Sequence, residues 1–582
     1  MWPQPSARLL AELSPMVAQA PGKIAIACHH LHTGERWAIG DATLPAASLI
    51  KVPLAVAAYQ AAQRGELAML ERVAVPALAE DDEAEFDNLG RAPAGTVFTW
   101  RKVIDRMLTE SDNAATNVLI DRLGLAAIEP LGQSLGLSAT ALRRVMLDVP
   151  ARQAGRENTT SPTDMVTLLT ALKRGELLDP GHTAELMGLL MQQRDLDKLA
   201  QGLPAEAGFA GKTGELPGWR HDMAIVDDAW AIAVMAEGEP AVDQLIGRIA
   251  SVVFAHFHRR RREFDGLAAW LAEGRETLLG DPRLAWDTLE ARWQDGELVA
   301  SGVTTVPERL DVPDRLHARV DARLLEGRRG VVIVPCLQLR RGPGHAHELV
   351  SQLRLGDPLE ILEPGPDWTL LRAPDGYIAY GKTNNLMASD TWRPAYAVAT
   401  PIALGETEDG KVYQLSAGSC LALGRGDGAY RLPSGALIYV DPDLVVELGE
   451  EGDTRALLRL ATRFLGLPYL WGGTTGWGID CSGLVQLTHF VMGAGLPRDA
   501  DQQQAALTAV GAIGELAPGD MVFFPGHVGI YLGEGEFIHA SAQAGMVTIN
   551  SFDPASPRFD TWLHDNFTGG GRCPLGQVVE AR

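Results

Sequence analysis

Between residues 329 and 448 the chain reads as short strands broken by Gly, Pro and Asp turns, with no helical period anywhere. ELVSQLRLGDPLEILEPGPDWTLLRAPDGYIAYG is typical of this text. Such spacing predicts small all-β modules, and 120 residues leave room for two, at 329–388 and 389–448. A stretch of this kind cannot share a core with the helix-containing segments on either side, so the 582 residues must fold as several domains.

The flanking segments are both mixed. Residues 1–258 start with a helix and a strand pair (KIAIACHHL, RWAIG), and continue through a long helical region. They then give three strands, FAGKTG, WRHDMAIV and WAIAVMAE, and a helix ending in HRRRRE. Strands at both ends with helices between predict one sheet built from both termini, covered by a helical subdomain. The run Arg259–Arg262 is expected to complement the C-terminal dipole of that helix and to mark a domain edge, the alternative being a nucleic-acid patch. Residues 259–328 look like a small α/β connector containing the hairpin-like ARWQDGELVASGV. Residues 449–582 open with the helix TRALLRLATRFLG, turn through Trp-Gly-Gly, start a second helix near Cys481, and close with DMVFF, HVGIYLG and EFIHAS strands.

Charge narrows the function. The net charge of −23 argues against nucleic acid or an anionic membrane as partner, since both demand basic surface. The five cysteines are scattered without a C-x-x-C pair, which fits neither a disulfide framework nor a zinc ribbon. No basic-then-apolar leader and no long apolar run is visible, so a cytoplasmic location is expected, or a secreted or periplasmic one if a leader has been removed. No metal and no cofactor is called for.

Only eight of the 51 basic residues are lysines, and two fall in one constellation. Ser48 and Lys51 stand one helical turn apart, so the amine can take the proton of a hydroxyl that is otherwise a poor nucleophile. Ser111-Asp112-Asn113 and Lys212-Thr213-Gly214 follow in order. Together these motifs resemble the serine β-lactamase and penicillin-binding-protein superfamily. The resemblance implies Ser48 as acylated nucleophile, Lys51 as base, Ser111 as proton shuttle, and Asn113, Lys212 and Thr213 around the substrate amide and carboxylate. It also implies an oxyanion hole of backbone N–H groups, that of Ser48 included. One departure stands out: the Glu-x-x-x-Asn pattern of class A β-lactamases is missing from residues 143–162, where Asp148 is the candidate loop acid. Three readings stay open for this site: a peptidase or esterase on D-amino-acid substrates, a slow β-lactamase or penicillin binder, and a scaffold.

The second constellation lies in YLWGGTTGWGIDCSGLVQLTHF and GHVGIYLGEGEFIHAS. A cysteine opening a helix gains nucleophilicity from the helix N-terminus and a neighbouring imidazole. Cys481 is so placed, and His527 and His539 reach one sheet edge if their strands pair as a hairpin. An inert buried cysteine and a Cys–His metal site are the blander alternatives. This text resembles the NlpC-like, papain-related cell-wall peptidases. That resemblance implies Cys481 as nucleophile, His527 as base, His539 as orienting residue, Tyr469 near the oxyanion, and Asp480 and Ser482 at a substrate amine. A serine usual after Arg-Asp is here Ala500, in Arg498-Asp499-Ala500. The middle modules resemble bacterial SH3-like barrels through Trp368 and Asp375-Gly376-Tyr377, and Tyr377 or Tyr380 is a candidate to narrow the cysteine site.

The expectation is therefore a multidomain α+β chain: a β-lactamase-like α/β sandwich, a connector, two SH3-like barrels and a papain-like domain. It would hydrolyse murein peptides of the type L-Ala-γ-D-Glu-diamino acid, cutting after γ-D-glutamate, with a serine site for β-lactams or D-Ala-terminated peptides. The alternatives are a β-lactamase or D-alanyl-D-alanine carboxypeptidase with an accessory peptidase, and a wall-peptide-binding protein with silent sites.

Overall fold

The computed structural model describes residues 2–74, 96–294, 297–426, 428–449 and 453–575. The turn of the hairpin expected in the connector, at 295–296, lies outside them. The chain divides into two compact units. The first comprises Met1–Ala268, Ala291–Val299 and Pro313–Arg319, and the second Ala269–Glu290, Ala300–Val312 and Val320–Arg582.

In the first unit, strands from both ends of the segment form one antiparallel five-stranded sheet. Its order is Arg36–Ile39, Ile24–His30, Trp230–Glu237, Trp219–Val226 and Phe209–Leu216. Side chains alternate between faces along a strand, and here the alternation sorts them by size. Ala25, Ala27, Ala231 and Ala233 face the helical subdomain. Ile26, Trp230, Ile232 and Val234 face the other layer, where helix Ala7–Ala18 and the start of helix Ala241–Leu278 pack. Helix Lys51–Gln63 is apolar all round (KVPLAVAAYQAAQ) and runs through the middle of the helical layer, with ten of its residues buried. That burial carries Lys51 into the interior.

One expectation fails here. The helix after the last strand does not stop at the arginine run but continues to Leu278. Arg259–Arg262 therefore stand mid-helix, where a macrodipole argument has no force, because that effect fades beyond the last turn.

The second unit contains two seven-stranded antiparallel sheets, one from strand Arg328–Val332 to Leu386–Ala388, the other from Tyr396–Val398 to Val445–Glu447. Numbered within each module, both have the same strand order, third-second-sixth-fifth-fourth-first-seventh. Two stretches of dissimilar text thus share one topology. The described pairing in each runs from edge to edge without closing. The C-terminal part carries a six-stranded antiparallel sheet in which Met521–Phe524, His527–Gly533, Glu536–Ser541 and Met546–Ser551 are consecutive neighbours. Helix Cys481–Val491 packs on strand His527–Gly533 through Leu484, Val485, Val528 and Ile530. No helix among the described residues is long and apolar enough to cross a membrane.

Candidate active sites

Asp480 caps helix Cys481–Val491, its Oδ1 accepting the N–H of Gly483 at 2.7 Å, and this fixes Cys481 as the first helical residue. The N–H of Val528, next to His527, favours the Cys481 thiolate. Strand register does the rest. His539 pairs with Thr548 across the hairpin, and Asn550, two residues on, shares that face. The outcome is a hydrogen-bonded line: His527 Nε2 to His539 Nδ1 at 2.6 Å, then His539 Nε2 to Asn550 Oδ1 at 2.9 Å.

The protons along this line are determined from its far end. Asn550 Nδ2 donates to the carbonyl of Arg558 at 3.1 Å, and a carbonyl can only accept, so Asn550 turns its own oxygen to His539. His539 must then donate through Nε2 and accept through Nδ1. His527 in turn must donate through Nε2, which leaves its Nδ1 unprotonated. Burial pushes the Cys481 thiol up to about 11, with Asp480 adding to it, and the same cause brings His527 down to about 3, aided by His539. Both shifts favour the uncharged form, thiol at Cys481 and imidazole at His527. Asn550 was absent from the sequence expectations. The signal that could have found it is the hairpin register, which puts 550 on the face of 539.

A cavity of about 440 Å³ opens at Cys481, and Tyr469, Asp480, Ser482 and Tyr377 all line it. Tyr377 comes from the first β-module, whose Asp375 accepts from Gln486 of helix Cys481–Val491 at 2.8 Å. Tyr380 packs on Trp286 and is not in the lining. The Asp480 carboxylate is held by buried Arg498 at 2.6 and 3.1 Å and by the N–H of Gly472 at 2.9 Å. Arg498 also donates to Ser482 Oγ at 2.9 Å and to Ser351 Oγ of the β-module at 3.0 Å. Glu348, a residue the sequence did not single out, joins the rim, accepting from Trp471 Nε1 at 3.0 Å and Arg341 Nε at 2.9 Å. Four carboxylates (Glu348, Asp480, Asp499, Asp501) and three guanidiniums (Arg283, Arg341, Arg498) line the cavity, leaving it acidic.

In the first unit the motif residues converge on Ser111. Lys51 Nζ donates to Ser111 O at 2.5 Å, Ser111 Oγ at 3.2 Å and Asn113 Oδ1 at 2.9 Å. Lys212 Nζ donates to the same Ser111 Oγ at 3.1 Å and to Thr213 O at 2.9 Å. Burial lowers Lys212 to about 8. Ser48 precedes Lys51 by one turn, in a short 3-10 segment entered through Ala47 at φ +47°. Ser111 itself is at φ +58°. Left-handed backbone at non-glycine residues is strain held by its surroundings, and it clusters at functional positions. The Lys-Thr-Gly strand reaches the Ser48 backbone N because Gly214 has no side chain: a Cβ there would stand 3.1 Å from that nitrogen.

Asp148 is placed as a helix cap. Its Oδ1 accepts the N–H of Ala151 at 2.9 Å at the start of helix Val149–Gln153. The surrounding loop is closed at its neck by Arg144 and Glu157 at 2.6 Å, and Asn117 grips Met146 by both N–H and carbonyl.

Each of the two segments that carry these residues matches a known family. The NlpC/P60 family profile matches residues 466–563, and that of the Beta-lactamase enzyme family matches residues 8–257. The chain carries a β-lactamase-family domain and an NlpC/P60 domain. A dipeptidyl-peptidase 6 of Lysinibacillus sphaericus is 28% identical over 265 residues, 41% of this chain and 98% of that protein. A gamma-D-glutamyl-L-lysine dipeptidyl-peptidase of Bacillus cereus is 28% identical over 237 residues, 35% of this chain and 71% of that protein. Its counterpart in Bacillus subtilis is 36% identical over 115 residues, and there the chain spans only 38% of the relative's length. The N-terminal β-lactamase-family domain and the C-terminal NlpC/P60 cysteine-peptidase domain thus form a hydrolase with two separate sites on one chain.

Proposed function

We propose that the NlpC/P60 domain hydrolyses the bond between γ-D-glutamate and the following diamino acid in peptidoglycan-derived peptides whose amino end is free. The observation that carries this reading is the acidic cavity at Cys481, walled by Tyr377 and Glu348 of the first β-module. A lining with more carboxylates than guanidiniums favours a short peptide presenting an ammonium group over an anionic polymer. The relatives named for γ-D-glutamyl-L-lysine cleavage support the choice of bond.

The chemistry follows from the proton positions. His527 Nδ1 takes the thiol proton as sulfur attacks the γ-carbonyl carbon. The N–H groups at the start of helix Cys481–Val491, with Tyr469 beside them, face the developing oxyanion. His527 returns its proton to the departing amine, leaving a thioester on Cys481. Water, deprotonated by the same imidazole, then releases the L-Ala-γ-D-Glu acid. Asp480, Arg498 and Ser482 shape the amine end, and SH3-like character of the modules at 329–388 and 389–448 is part of the same proposal.

For the serine domain we propose acylation at Ser48 by β-lactams or D-alanyl peptides, with slow release. Lys51 and Lys212 meeting on Ser111 Oγ support proton transfer, and the capping role of Asp148 supports slow deacylation. Two variants assign the activities. Cys481→Ala should abolish cleavage of L-Ala-γ-D-Glu-L-Lys and keep labelling by a fluorescent penicillin, and Ser48→Ala should do the reverse. Cleavage that survives in Cys481→Ala would overturn the assignment.

A further inference from the structure

The arginine run without a helix end to complement has a different setting. A cavity of about 740 Å³ in the first unit lies beside it. It is bounded by the turns that end the central strands, by the second half of helix Ala241–Leu278, and by Arg292 and Trp293. It belongs neither to the Ser48 site nor to the Cys481 site. Its wall is aromatic: Trp230 and Phe257 pack with centroids 5.4 Å apart, His30 meets Phe257 at 4.6 Å, and Phe264 stacks with Trp293 at 6.3 Å.

Its charged lining has three guanidiniums to two carboxylates. Arg260, Arg261 and Arg292 line it against Asp227 and Asp265. The Arg260 guanidinium lies 3.9 Å from the Trp293 ring centroid while its Nε faces Glu35 at 3.2 Å. A guanidinium flat on an indole presents its N–H edge sideways, which suits an anionic group at the rim of a ring-lined slot.

We propose that this cavity binds a small aromatic anion, a flat ring bearing one carboxylate, sulfonate or phosphate group. The ring packs against Trp293 and the Trp230–Phe257 wall, and the anion meets Arg260 and Arg292. Apolar walls with a few convergent charges are how small-molecule sites are built, and a volume of this size takes a ring system with its substituent.

The full-length protein is titrated with 8-anilinonaphthalene-1-sulfonate and with its uncharged counterpart N-phenyl-1-naphthylamine, following dye fluorescence. Saturable binding of the sulfonate is expected, at least about tenfold tighter than of the neutral dye, and weakened about tenfold or more in Arg260→Gln and in Arg292→Gln. Arg292 is exposed, so its variant keeps the test meaningful if Arg260→Gln loses the fold. Indole-3-carboxylate and uridine monophosphate are then used as competitors, the one that displaces the dye identifying a carboxylate or a nucleotide source. Equal binding of the two dyes, an unchanged affinity in the arginine variants, or displacement by neither competitor would each overturn the proposal.

Discussion

Replacing Asn550 by leucine removes the acceptor for His539 Nε2 while keeping the branched shape and heavy-atom number of the side chain. His539 is only 2% exposed, so its Nε2–H would be left without a partner in the interior. A buried unsatisfied donor costs about 1–3 kcal/mol. His539 avoids that cost by moving its proton to Nδ1 and donating to His527 Nε2. His527 must then carry its own proton on Nδ1, the atom proposed to take the thiol proton. A bias of about 1–2 kcal/mol towards this unproductive pair corresponds to roughly a 5–30-fold loss. The expectation for Asn550→Leu is a fall of about that size in kcat for tripeptide hydrolysis, with KM and melting temperature little changed. Asn550→Asp keeps an acceptor and should retain most activity at pH 8. Its carboxylate raises the pKa of His539, and a doubly protonated His539 also donates to His527 Nε2. The acid limb of its kcat profile should therefore move to higher pH. A leucine variant with parental kcat and an unmoved pH profile would refute the tautomer argument.

Three further outcomes are expected. Because burial holds the Cys481 thiol up to about 11, its alkylation by iodoacetamide should rise about tenfold per pH unit from 7 to 10; a rate already at plateau by pH 6 would mean a resting thiolate–imidazolium pair. Gly214→Ala should reduce penicillin labelling of Ser48 by at least about tenfold, since the added Cβ, 3.1 Å from Ser48 N and 3.2 Å from Leu49 N, pushes the strand away; parental labelling would remove that strand from the acylation site. Asp148→Asn, which retains a capping oxygen, should leave the lifetime of the penicillin adduct unchanged, whereas Asp148→Ala should cost about 1 kcal/mol of stability; a longer adduct lifetime in Asp148→Asn would restore the aspartate as a hydrolytic base.

The candidate catalytic residues are legible where chemistry imposes short spacings. Ser48 and Lys51 lie a turn apart, and the twelve residues from His527 to His539 suit a hairpin. Asn550 carries no motif, and only pairing of His539 with Thr548 reveals its face. Glu348 is invisible for another reason: nothing local to ELVSQLRL says that it meets Trp471, 123 residues later. The arginine run misled because apolar residues at helical spacing, Leu267 and Leu271, continue beyond it. A charged patch on one face of a helix does not end it. The common strand order of the two middle modules was equally hidden, since topology survives where turn lengths and side chains do not.

The most direct test of the account is the identity of the products formed from L-Ala-γ-D-Glu-L-Lys and from its N-acetylated form, followed by mass spectrometry. The account predicts L-Ala-γ-D-Glu and free lysine from the first, and a rate at least about tenfold lower from the second, which offers no ammonium group to the acidic end of the cavity. Release of L-alanine, or equal cleavage of the two peptides, would contradict it.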